Sequence, residues 1–158
     1  MSPIARGWVG CASVGAGLLH VALALGRPLE LAAALFAIGI VEFGWGAITL
    51  AEERALAPRI ALFAALTPGI LWAVALFAGV RLPFLPLATS TLLELFVAVM
   101  IAISIRRVDV AVAPSTRRLV LSLTLAVLTV AAVTLPALTL TQAEAPPAPL
   151  PTPEHGHR

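Results

Sequence analysis

Lysine is absent from this chain and charge of either sign is scarce, with ten basic residues, all arginine, eight acidic ones and only 11% charged positions in 158 residues. Soluble domains carry about 25% charged residues. With 60% hydrophobic residues and a mean hydropathy of +1.03, so little charge excludes an ordinary soluble domain and predicts a membrane protein whose first partner is the lipid bilayer. The small basic excess sits at the ends of apolar runs, so a pI of about 10.0 does not point to nucleic acid, and no such partner is expected. The one cysteine, Cys11, lies inside the first apolar run. Without a second thiol there is no disulfide and no C-x-x-C chemistry, and Cys11 reads as a buried, inert group. No nucleophile–base pair, phosphate-cradling glycine loop or redox pair stands out, so no enzymatic activity is expected.

What is present is a set of five apolar runs, at about 7–26, 31–51, 59–80, 85–105 and 119–140. A helix of about 20 residues rises about 30 Å, the thickness of a bilayer's hydrocarbon core. The expected fold is therefore an all-α, polytopic transmembrane bundle over 1–140, followed by a Pro- and Ala-rich tail, 141–158, whose composition cannot bury a core. The first run has some features of a secretory signal, with Ala22-Leu23-Ala24 as a cleavage site, but it carries a histidine and leads into further spans, so it is read as a retained helix. Gly26-Arg27-Pro28 and Arg81-Leu82-Pro83 make tight turns. Pro68, inside Thr67-Pro68-Gly69, is expected to kink the third helix on a side that faces protein. With five spans, seven arginines (Arg6, Arg54, Arg59, Arg106, Arg107, Arg117 and Arg118) fall at one end against Arg27 and Arg81 at the other. The excess predicts a cytoplasmic-membrane protein with its N-terminus in the cytoplasm and its tail outside. Trp8 is expected as an interfacial anchor, while Trp45 and Trp72 sit deep enough to pack in the bundle.

Three ionisable residues interrupt the runs: His20 in the first, Glu42 in the second and Glu94 in the fourth. A charge at the centre of a span costs about 2.5–3.5 kcal/mol on insertion scales, so each must face the bundle interior and find a partner. Helical spacing puts Gly39, Glu42, Gly46 and Thr49 on one face. It likewise groups Ser13, Ala16, Gly17, His20 and Ala24 in the first helix, and Ser90, Thr91, Glu94 and Ala98 in the fourth. Small faces let helices approach closely in lipid, and all three ionisable groups lie between mid-membrane and the outer third. Three readings follow: a hydrogen-bonded cluster that fixes helix register, a site that binds or relays a proton, or a divalent metal site. The last is short of ligands, although His155 and His157 in the tail offer two further imidazoles that could capture copper or zinc.

The spacing of Gly17-Leu18-Leu19-His20, Glu42-x-x-Trp45-Gly46, Leu71-Trp72, Arg81-x-Pro83 and Leu93-Glu94-Leu95 resembles that of a group of small multispan membrane proteins found in actinobacteria and related bacteria. The resemblance covers about Val14 to Arg107. It implies a four-helix core and points to His20, Glu42, Trp72 and Glu94, with Arg81 in an outer turn, but it implies no activity. The expected function is that of a non-enzymatic structural or accessory bundle, since short loops leave little room for a ligand cavity of about 300 Å³. The alternative is a small proton-coupled or metal-ion transporter, as a homo-oligomer or within a larger membrane complex. No cofactor is expected in the first case, copper or zinc in the second.

Overall fold

A computed structural model describes residues 1–52, 57–80, 83–106 and 114–143, with side chains as far as residue 140. Five helices follow in order: α1 (Pro3–Ala24), α2 (Leu29–Ala51), α3 (Pro58–Phe77), α4 (Phe84–Arg106) and α5 (Thr116–Ala143). All five are long and apolar enough to cross a membrane. The helix ends have local causes. Ser2 caps α1 by accepting the Ala5 N–H at 3.2 Å, with Pro3 in the first turn, so α1 starts earlier than the apolar run suggests. Gly26 (φ 72°) turns the chain after α1, and Gly79 (φ 80°) after α3. The Val80 N–H closes on the Ala75 carbonyl at 3.0 Å, a left-handed glycine stop that ends α3 at Phe77, short of residue 80.

The hub is α1. It is mostly buried and packs against α2, α4 and α5, whereas α3 is held by α4. Close approaches give the directions. Gly17 meets Gly39 and Gly10 meets Gly46, so α1 and α2 are antiparallel, while Gly7 lies against Leu123 and Gly15 against Val130 and Thr134, so α5 runs parallel to α1. Trp8 donates its indole N–H to Ser122 at 3.0 Å and meets Phe96 edge-on. It therefore ties α1 to α5 and α4. Two apolar clusters form the ends of the interior: Val9, Ala12, Ala61, Val97 and Ile101 toward the arginine-rich end, and Leu23, Ala24, Leu35, Trp72 and Leu87 toward the other. The polar residues of α1, α2 and α4 lie between them.

Candidate functional site

The faces carrying the three ionisable residues turn inward. Ser13, Ala16, Gly17, His20 and Ala24 are all buried on α1, Ser90, Glu94 and Ala98 on α4, and Gly39, Gly46 and Thr49 on α2. The glycines bring α2 onto α1, where Ser13 Oγ donates to the Glu42 carbonyl oxygen at 2.9 Å. One ligand atom each from His20, Glu42 and Glu94 falls within 4.8 Å of the others. His20 is fully buried, and the side chains of Glu42 and Glu94 are 13% and 3% exposed.

His20 sits at the centre with both nitrogens engaged. Trp72 Nε1 of α3 lies 3.2 Å from His20 Nε2, and the two rings stack at 5.8 Å between centroids. An indole N–H can only donate, so Nε2 accepts and the imidazole proton resides on Nδ1. Nδ1 then donates to Glu42 Oε2 at 2.7 Å, in the way a carboxylate fixes a histidine tautomer. This half of the cluster is satisfied.

The other half is not. Glu94 Oε1 lies 3.3 Å from His20 Nε2, whose only lone pair already serves Trp72. The Gly69 amide approaches the carboxylate without completing a hydrogen bond, and neither Glu94 oxygen has a hydrogen-bond partner among the described residues. A buried polar group in that state costs about 1–3 kcal/mol, more when charged. As a carboxylate it adds an uncompensated charge unless a cation accompanies it.

Beside this carboxylate is a cavity of about 180 Å³ lined by Ser13 and Ala16 of α1, Glu42 and Trp45 of α2, Glu94 and Val97 of α4, and a run of small residues on α3 that includes Ala61 and Ala64. It reaches from mid-bundle to Ala57, toward the arginine-rich end. Trp45 is thus a cavity wall and Trp72 a ligand of the histidine. Pro68 is buried within α3, which continues through it. Proline has no N–H to give the Ala64 carbonyl, so that acceptor on the cavity's own wall lacks its helical donor. The sequence points to Trp72 and Pro68 as the packing or cavity-wall residues of α3, but not to its alanine face, although the spacing of Ala57, Ala61 and Ala64/Ala65 is the small-residue pattern that marks a helix meeting protein. Arg81, His155 and His157 lie outside the described residues.

A metal fits the donor set poorly. Zinc and copper bind imidazole nitrogen and carboxylate oxygen at about 2.0–2.2 Å, and either ring nitrogen could ligate only by giving up Glu42 or Trp72. That leaves the Glu94 carboxylate and the second oxygen of Glu42, too few ligands for a closed site. The proton is the simplest partner that satisfies Glu94. No family model, curated protein or solved structure matches the chain, so the resemblance to the multispan group rests on its short motifs alone.

Proposed function

We propose that this chain is a small, non-enzymatic carrier of the cytoplasmic membrane, its arginine-rich end in the cytoplasm, in which Glu94 exchanges a proton with the cavity beside it. The single observation that carries the reading is the Glu94 carboxyl group: buried, without a hydrogen-bond partner among the described residues, 3.3 Å from His20 Nε2 and lining a cavity. A carboxylate retained in such a place as an ion is costly, and intramembrane acids facing a bundle interior commonly mark ion pathways. Protonated, Glu94 carries no charge into the apolar interior and needs no counter-ion. Deprotonated, it needs a cation.

A structural role belongs to the other half of the same cluster. The Trp72–His20–Glu42 chain is hydrogen-bonded throughout, and it ties α3, otherwise held by α4, to the closely packed α1–α2 pair. On this proposal Trp72, His20 and Glu42 form the frame and Glu94 is the working group.

Infrared difference spectroscopy of the reconstituted protein across a pH titration tests the assignment. The carboxylic-acid C=O band of a buried Glu94 should appear and vanish with pH, and Glu94→Gln should remove it while circular dichroism still reports a helical bundle. A band that survives Glu94→Gln, or no titrating band at all, would leave the cluster with its structural role only.

A further inference from the structure

We infer that the cavity between α2 and α3 binds a small lipophilic amine, its ammonium held by Glu94. The inference rests on the proton-exchange reading and names the cation that takes the proton's place.

The cavity's chemistry is one-sided. Its walls are apolar, with Trp45, Val97 and the α3 alanines, and its polar groups gather at one end as Ser13, Glu42 and Glu94. Among the described residues, acceptors dominate that end. The Ser13 hydroxyl is given to the Glu42 carbonyl, Glu94 has no partner among the described residues, and the Ala64 carbonyl lost its helical donor to Pro68. Among the described residues, no arginine lines the space. With two carboxyl side chains at one end and no basic side chain among the described lining residues, such a site rejects anions and favours a ligand that brings N–H groups and positive charge.

Size and wall chemistry narrow the class. An engineered apolar cavity of about 150 Å³ admits benzene; one of about 180 Å³ admits an aromatic ring with a short aminoalkyl arm. A bare inorganic ion would leave most of the apolar wall unmatched, and its hydration water would face alanine and valine. The Trp45 ring supplies a face for an aromatic ring or an ammonium. Access agrees with a lipophilic ligand, because α2 and α3 make at most marginal contact with one another among the described residues, so the cavity opens sideways between two helices.

The exchange balances with one proton. The ammonium form of the amine enters as the Glu94 carboxyl group gives up its proton, leaving an ammonium–carboxylate pair and one proton released. No covalent bond is made or broken apart from the O–H bond of Glu94.

Isothermal titration of the protein in lipid nanodiscs tests this with 2-phenylethylamine and its neutral isostere 2-phenylethanol as probes, each in two buffers of different ionisation enthalpy. The amine should bind at least tenfold more tightly than the alcohol, because a charged hydrogen bond is gained, and should release about one proton per amine. Glu94→Gln should abolish the preference. Ala64→Leu, which fills the cavity from α3, should weaken both probes. Equal binding of amine and alcohol, no binding of either at millimolar concentration, or displacement of the amine by millimolar sodium would each overturn the inference. If Glu94→Gln does not fold, the amine-to-alcohol ratio and the proton count in the unaltered protein decide. A titrating Glu94 infrared band without amine binding would remove this inference and leave proton exchange standing; the absence of both would remove both.

Discussion

His20 has two nitrogens and three neighbours that could use them. Trp72 can only donate, Glu42 lies at 2.7 Å from Nδ1 and Glu94 at 3.3 Å from Nε2, so the indole decides the proton's position for all of them. Nitrogen-15 spectra of labelled histidine should therefore show His20 as the neutral Nδ1–H tautomer; an Nε2–H tautomer would contradict the arrangement. Trp72→Phe keeps the stacked ring and removes the N–H. It should cost about 1 kcal/mol from one buried hydrogen bond, read from thermal unfolding in detergent, and it should shift the Glu94 infrared band as Nε2 becomes free to accept from that carboxyl group. The three ionisable residues could be read from the sequence because each interrupts an apolar run and the cost of doing so demands a partner. The unequal division of labour could not. It depends on Trp72, an apolar-looking residue on a different helix, whose N–H reaches Nε2 only after α3 has docked on α4.

Between elements, the closest contact is the α1–α2 crossing. A methyl group on Gly17 would stand 2.6 Å from the Gly39 carbonyl oxygen and 2.7 Å from the Phe43 nitrogen, both backbone atoms that cannot swing away. Gly44, on the same α2, faces open space. Gly17→Ala should thus push the helices apart and cost about 1–3 kcal/mol, the usual range for overpacking, and should loosen the Ser13–Glu42 contact between the same helices. Gly44→Ala should be neutral or stabilising by up to about 1 kcal/mol through helix propensity alone. Equal effects of the two in a reversible unfolding assay would mean the crossing is not set by glycine. The Gly39/Gly46 stripe was legible because small residues at helical spacing stand out in a long apolar run. The central role of α1 was much less so. A helix surrounded by protein and one surrounded by lipid are both apolar all round, and Gly7 and Gly15, which receive α5, lie on a different side of α1 from Gly10 and Gly17, which receive α2.

At the scale of the whole molecule, the five apolar runs already specified five helices, since length and hydropathy suffice for that. The cavity was not foreseeable from runs alone, because it arises from a gap between α2 and α3 that only the packing order creates. Its direction matters for a carrier. It extends from Glu94 toward Ala57 and the arginine-rich end, so the side on which that end lies is the side whose leaflet the proposed site faces. The proposal, from the arginine excess, that this end lies in the cytoplasm can be checked with one thiol at a time. In a Cys11→Ser background, Arg27→Cys marks the turn between α1 and α2, and Arg59→Cys the start of α3 at the opposite end. Either substitution removes a single arginine and leaves the bias large, seven against one or six against two. A membrane-impermeant maleimide should label Arg27→Cys in intact cells and Arg59→Cys only once the membrane has been opened. The reverse pattern would place the cavity's long axis toward the outside and make the protein an importer-facing site; labelling of both positions in intact cells would show that the helices do not span at all.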